Sequence, residues 1–293
     1  MRKIIYILIT LLFITSNFAC KSDSNASNIN DSGNNNSGEV SYILTTKTIY
    51  IPQSIEGVIQ NRPVIIQAAN EIDPTINYPI VFAFHGRGGS HTNWVNQLNN
   101  FTTSGAFVGI YPQGFLDCWN LGPEPSTADD VAFVNLIVEE LQNYSNLDFD
   151  RMYAIGTSNG SGMVNKLAIE TNHFKAIAPV VSQLIVSLPI LESTNAISVF
   201  QVNGAADEII PIEGGSKFGH IFLDAYESAE LWANQFNCSE IPELNLLGQD
   251  TLTIFESCDD NKEIRYLRIE NGGHNLNLNI LFPEIWEFFQ RFN

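Results

Sequence analysis

Met152-Tyr153-Ala154-Ile155 leads without a break into Gly156-Thr157-Ser158-Asn159-Gly160, and a helical pattern over Ser161 to Glu170 follows at once. An apolar run, a Gly-x-Ser-x-Gly pentapeptide and a helix form the strand, sharp turn and helix context of a nucleophile elbow. Glycine is needed at 156 and 160, where a side chain would collide across the turn, and the strained turn holds Ser158 above the sheet edge. The pentapeptide alone is a common pattern, because Gly and Ser are common residues. Its position between a strand and a helix is what gives it weight.

Reading outward, Pro79 to Phe84 is apolar on both faces, as expected of a central strand covered by helices on each side. The same signal returns at Ala106 to Tyr111, Ala176 to Val181, Ile197 to Val202 and Ile264 to Ile269. Ser41 to Tyr50 and Pro63 to Ala69 are β-branched and extended, and suit an antiparallel lead-in to the sheet. Helices are expected at Asp129 to Leu141, Ser161 to Glu170, Asp224 to Phe236 and Ile280 to Phe292, with Thr127 or Asp129 available as a cap for the first of these. Strand and helix alternate through most of the chain, which argues an α/β fold of three layers around a mostly parallel sheet.

A serine hydroxyl is a weak nucleophile and needs a base and an orienting acid, which in a fold of this kind follow it in the order acid, histidine. Downstream of Ser158 stand His173, His220 and His274. His173 sits in a polar loop between a helix and a strand. His274 closes Asn271-Gly272-Gly273, just beyond a strand end, where a glycine-rich loop can swing it over its neighbour. It is the expected base, with His220 as the rival. The strand Ile197 to Val202 runs into Asn203-Gly204-Ala205-Ala206-Asp207-Glu208, which puts Asp207 at the carboxyl edge of the sheet, where open α/β folds keep their sites. Asp207 is preferred to Glu208 for its shorter side chain, and Asp224 is the further alternative. Oxyanion donors are expected from the N–H of Asn159, directly after the serine, and of Arg87 in the loop His85-Gly86-Arg87-Gly88-Gly89-Ser90.

That loop lacks the Lys-Ser/Thr ending of a nucleotide loop and the Gly-x-Gly-x-x-Gly spacing of a dinucleotide site, so no cofactor is expected. No grouping of His, Cys, Asp or Glu has metal-site spacing. With 14 Lys+Arg against 32 Asp+Glu, the formal charge is -18. Such a surface repels phosphate backbones and anionic lipid, which excludes nucleic acid as a partner and leaves a neutral or carbohydrate-like one unpenalised.

The amino-terminal segment reads differently. Arg2 and Lys3 precede an apolar Ile4 to Ile14, and Ser16-Asn17-Phe18-Ala19-Cys20 closes a stretch with the layout of a secretory signal. Ala19-Cys20 resembles a lipoprotein processing site, which would make Cys20 the lipidated end and place the protein outside the cytoplasm, anchored or else secreted. Residues 21–39, rich in Ser, Asn, Asp and Gly, are expected to be a flexible tether. A single domain is expected over residues 40–293. Export makes disulfides permissible. Of Cys118, Cys238 and Cys258, the last two follow a helical stretch and a strand respectively, which favours them as the pair and leaves Cys118 over.

Taken together, the ordered motifs resemble those of the secreted esterases that include polyhydroxybutyrate depolymerases, feruloyl esterases and acetylxylan esterases. The resemblance covers most of Pro79 to His274. It rests on Phe84-His85-Gly86 with Gly88-Gly89, Asp129-Asp130-Val131, Asp150-Arg151-Met152-Tyr153 before the elbow, Ala178-Pro179-Val180, Gly204-Ala205-Ala206-Asp207 with Pro211, and Gly272-Gly273-His274. It implies an α/β-hydrolase fold, a triad of Ser158, Asp207 and His274, and a Cys238–Cys258 disulfide. The chain departs from many relatives in carrying Asn275-Leu276-Asn277-Leu278 where a Trp-Pro pair follows the histidine, and Asn203 where they have His.

The expected activity is hydrolysis of feruloyl or acetyl esters on plant polysaccharide. The partner is then an ester-bearing polysaccharide or oligosaccharide, with Trp119 and Trp94 as candidate sugar or aromatic contacts. Polyester depolymerisation is the alternative substrate class. A catalytically silent binding module on the same scaffold is the alternative of another kind.

Overall fold

In the computed structural model of the chain, which describes residues 42–293, the lead-in is the antiparallel pair β1 (Lys47–Ile55) and β2 (Val58–Gln67). Both strands sit closer to the Glu56-Gly57 turn than the β-branched runs suggest, and Tyr42 makes only an isolated bridge to Tyr144. The elements that follow are β3 (Tyr78–Phe84), α1 (Asn93–Thr103), β4 (Val108–Pro112), α2 (Asp130–Leu141), β5 (Leu147–Thr157), α3 (Asn159–Glu170), β6 (Ala176–Val180) and β7 (Ser198–Gly204). After them come β8 (Gly215–Lys217), β9 (His220–Phe222), α4 (Ala225–Gln235), β10 (Glu243–Leu247), β11 (Asp250–Phe255), β12 (Ile264–Ile269) and α5 (Leu278–Phe289). The proposed signal segment, the tether and Cys20 lie outside the described residues.

Ten strands form one sheet in the order β1-β2-β4-β3-β5-β6-β7-β12-β11-β10. The six from β4 to β12 run parallel, and antiparallel strands extend the sheet at each end. Every residue of β3 is buried, yet its side chains alternate between two cores, as a pleated strand requires. Ile80, Phe82 and Phe84 join the core under α2, α3 and α4, while Val81 and Ala83 join the core under α1 and α5. The apolar run at 79–84 is thus the middle layer of three.

α2 begins where Asp129 caps it by accepting the Ala132 N–H, and α5 begins where Asn277 accepts the Asn279 N–H. Asn277 in the stretch that departs from the resemblance is therefore a helix cap. The helix α1 was not legible in the sequence. Its Asn- and Thr-rich stretch has weak intrinsic propensity, and only Trp94, Leu98 and Thr102 mark its buried stripe. The Cys238–Cys258 disulfide is formed, tying the end of α4 to the end of β11, and Cys118 is free and buried. Among the described residues no helix is long and apolar enough to cross a membrane.

Candidate active site

Ser158 stands between β5 and α3 with φ 55° and ψ -118°, an unfavourable backbone conformation for a residue with a Cβ. The turn is held by Ser158 N–H donating to the Val180 carbonyl, and by the Ser161 and Gly162 N–H groups donating to the Ser158 carbonyl. Gly160 has to be glycine, since a Cβ there would overlap the carbonyls of Phe84 and His85. The elbow is thereby pressed against the end of β3, and Gly86 lies directly beside Ser158.

The loops after β7 and β12 meet at the same sheet edge. Ala205 and Ala206 N–H groups donate to the carbonyls of Ile269 and Gly272 at 2.8 Å each, and a Cβ on Gly204 would collide with the Gly272 carbonyl. This stitching brings His274 over Asp207. His274 Nδ1 lies 2.7 Å from Asp207 Oδ2, and His274 Nε2 lies 2.9 Å from Ser158 Oγ. A carboxylate can only accept, so Nδ1 carries the proton and Nε2 is left to accept from the serine hydroxyl. The other Asp207 oxygen accepts the N–H groups of Ile209 and Ile210 at 2.8 and 2.9 Å, which fixes the carboxylate plane. Ser158, His274 and Asp207 are therefore brought together, whereas Glu208 and Asp224 are not. Asp224 caps α4 by accepting the Tyr226 and Glu227 N–H groups.

Arg87 and Asn159 flank Ser158 from the two loops expected, and neither N–H is spent on a protein acceptor among the described residues. The loop ahead of Arg87 is pinned by His85, whose Nδ1–H donates to the Gly86 carbonyl while its Nε2 accepts the Gly114 N–H. Burial pushes the His85 imidazole below its ordinary pKa, the state these two bonds require. The Asn159 side chain is gripped by Trp119, accepting its N–H at 2.7 Å and donating to its carbonyl at 3.1 Å.

Trp119 corrects the sequence-based expectation of substrate contact, whereas Trp94, though nearly covered, lines a pocket that His274 also borders. Both are core side chains, 0% and 1% exposed. Trp119 packs edge-on to Phe84 and donates its indole N–H to the His85 carbonyl, so it supports the loop from beneath. Behind it lies a buried ion pair: Arg62 donates to Asp130 at 2.7 Å, and the other Asp130 oxygen accepts the Asn120 N–H. Burial pushes the Asp130 carboxyl up, against the pull of the Arg62 charge. The Asp129-Asp130 motif is thus a cap followed by an anchor for the loop that carries Trp119. Asn203 is also buried, 1% exposed, and hydrogen-bonded to Gln183 and Gln201.

Two pockets share His274. One, of about 280 Å³, is walled by Leu121, Ile185, Ile210, Phe218 and Phe222 and reaches Ser158 and Asn159. The other, of about 360 Å³, lies toward Asn93, Gln97, Thr157 and Asn275. The apolar wall of the first is a feature the sequence did not announce. Its two Phe residues come from the hairpin β8–β9, whose three-residue strands are too short for a periodic signal, and whose register pairs Lys217 with His220. Phe218 and Gly219, the two turn residues, have φ of 53° and 85°. A turn with both φ positive is the favoured two-residue hairpin type. His220, the rival base, does not reach Ser158: its Nε2–H donates to Glu124 at 2.7 Å. Among the described residues no group of His, Cys, Asp or Glu could hold a metal ion.

No protein-family model matches the chain. It is 31% identical over 144 residues to a putative esterase, NocK, of Nocardia uniformis subsp. tsuyamanensis, covering 46% of this chain and 42% of that one. Feruloyl esterase B of Piromyces equi is 25% identical over 230 residues, covering 73% of this chain and 42% of its own length. A probable feruloyl esterase C of Aspergillus niger is 24% identical over 247 residues, covering 79% and 84%. The chain thus spans about 42% of the length of the first two relatives. Among solved structures, an acetyl xylan esterase from Aspergillus awamori superimposes with a TM-score of 0.58 at 17% identity, over 78% of this chain and 94% of that one, a likeness of fold. The chain is thus similar in sequence to relatives named feruloyl esterase and acetylxylan esterase, and it shares the α/β-hydrolase fold of solved esterases.

Proposed function

We propose that the protein is a serine carboxylic-ester hydrolase that removes hydroxycinnamoyl groups of the feruloyl type from plant polysaccharide. The observation that carries the hydrolase reading is the continuous line from Ser158 Oγ through His274 to Asp207, at 2.9 and 2.7 Å. In this mechanism His274 Nε2 takes the serine proton as Ser158 Oγ attacks the ester carbonyl, and the imidazolium that forms is stabilised by Asp207. The tetrahedral oxyanion points to the N–H groups of Arg87 and Asn159. Collapse expels the alcohol, which receives the proton from His274. Water then attacks the acyl-enzyme with His274 again as base, releasing the acid and restoring Ser158.

The two pockets support the division of the substrate. An acetyl group would leave most of an apolar pocket of about 280 Å³ unfilled, whereas a planar aromatic acyl group matches walls of Ile, Leu and Phe. The pocket beyond His274 offers Asn and Gln side chains to a hydroxyl-rich alcohol. The likeness to relatives named feruloyl esterase supports the same assignment. The leader layout supports an exported, lipid-anchored protein, with residues 40–293 as its catalytic domain.

The test is a rate comparison on methyl ferulate, acetylated xylan and hydroxybutyrate oligomers, with Ser158→Ala as control. Serine-dependent turnover greatest on methyl ferulate is expected. Preference for the hydroxybutyrate oligomers would transfer the assignment to polyester, and turnover surviving in Ser158→Ala would end it.

A further inference from the structure

Glu124 is a carboxylate that the sequence did not single out and that the mechanism above does not use. It lies in the loop between β4 and α2, and its side chain is 1% exposed. Four donors converge on it. Oε1 accepts Arg87 Nη2 at 2.9 Å, His220 Nε2 at 2.7 Å and, at 3.4 Å, Asn159 Nδ2, while Oε2 accepts the Leu121 N–H at 2.9 Å. Burial would push this carboxyl up, but the His220 and Leu121 hydrogen bonds outweigh it and hold the group below its ordinary range. Glu124 also lines the apolar pocket beside Ser158.

What it joins is informative. Arg87 and Asn159 are the two residues whose N–H groups face the oxyanion in the mechanism above. Their backbones come from separate elements, and Arg87 sits between Gly86 and Gly88, where the chain itself offers little stiffness. Oxyanion donors accelerate a reaction only if they are already aimed when charge develops. The third partner, His220, belongs to the hairpin that carries Phe218 and Phe222 into the acyl pocket.

The geometry points to Glu124 as a positioning residue that holds the two oxyanion-donor residues and the acyl-pocket hairpin in one register. This rests on the serine hydrolase reading. Arg87 has a second duty in it, since its guanidinium neutralises a buried carboxylate that would otherwise oppose a developing oxyanion nearby.

Glu124→Gln keeps the shape and loses the charge. Its kcat on methyl ferulate should fall by between about tenfold and a hundredfold with KM changed less than about threefold. Affinity for a trifluoromethyl ketone analogue, which forms an oxyanion on Ser158, should fall in parallel, while inhibition by free ferulate stays as in the parent. A merely structural glutamate would lower the melting temperature without that split. Arg87→Met, at a side chain 41% exposed, provides a variant that need not disturb folding. It should show the same split, and the double variant should lose less than the product of the two single losses.

Parental kcat and ketone affinity in folded Glu124→Gln would overturn the proposal. Should that variant fail to fold, the same result in Arg87→Met would overturn it. Ser158→Ala run in parallel separates the two readings. If turnover survives there, the hydrolase assignment fails, whereas serine-dependent turnover insensitive to Glu124 and Arg87 removes only the positioning role.

Discussion

Phe218 occupies a turn position with φ 53°, where glycine or asparagine is at ease and a bulky side chain is not. Its ring is 54% exposed, lies 5.8 Å from the Arg87 guanidinium and walls the acyl pocket. A strained residue kept at a pocket mouth is a reason to look for function there. Phe218→Asn should raise stability to urea by about 1 kcal/mol and raise KM for methyl ferulate, with kcat nearly unchanged. Unchanged KM would show that the ring does not meet the acyl group. His85 carries a second residue-scale consequence. Its folded pKa lies below the ordinary 6.5, so the unfolded chain binds this proton more readily. The stabilisation is complete above pH 6.5 and is lost as pH falls from there through the folded value. His85→Gln should flatten that acid limb of the stability profile, with the remaining slope due in part to His173, which burial also lowers. An acid limb identical to the parent's would remove His85 from the account.

Among the elements, the loop before α2 is anchored by the Arg62–Asp130 pair, buried under the ring of Phe133, whose centroid lies 3.6 Å from the guanidinium carbon. Asp130→Asn leaves Arg62 buried without a counter-charge and should cost about 3–5 kcal/mol in urea denaturation. A loss under about 1 kcal/mol would mean that water or another group replaces the carboxylate. This loop also marks where sequence reading ended. Ser158, Asp207 and His274 were legible because each follows a strand whose apolar run is long and local, so the residues at its carboxyl end could be named. Glu124 and Phe218 were not. They lie on a long loop and on a hairpin of three-residue strands, and they acquire a role only through contacts with residues distant in sequence, 35 to 96 positions away for Glu124. Trp119 failed as a substrate contact for the converse reason. Aromatic type suggests sugar stacking, but large apolar area is most often buried, as it is here.

For the molecule as a whole, the six parallel strands and two flanking helix layers fix where chemistry can occur. The elbow, the acid loop and the histidine loop all leave the carboxyl ends of parallel strands β5, β7 and β12. The β11–β10 end of the sheet is stapled to α4 by Cys238–Cys258, which closes a separation of 20 residues. The double Ala variant should lose about 2–4 kcal/mol in urea denaturation. A stability equal to the parent's would assign the staple no thermodynamic part.

The central claim is that Ser158, raised on its strained turn and paired to His274, carries out acyl transfer. Its most direct test is reaction of the purified protein with a fluorophosphonate, followed by mass analysis of the adduct and the rate on methyl ferulate. One adduct on Ser158, together with a fall in kcat of at least about 10⁴-fold in folded Ser158→Ala, is the predicted result. An adduct on another residue, or hydrolysis persisting in the alanine variant, would contradict the account.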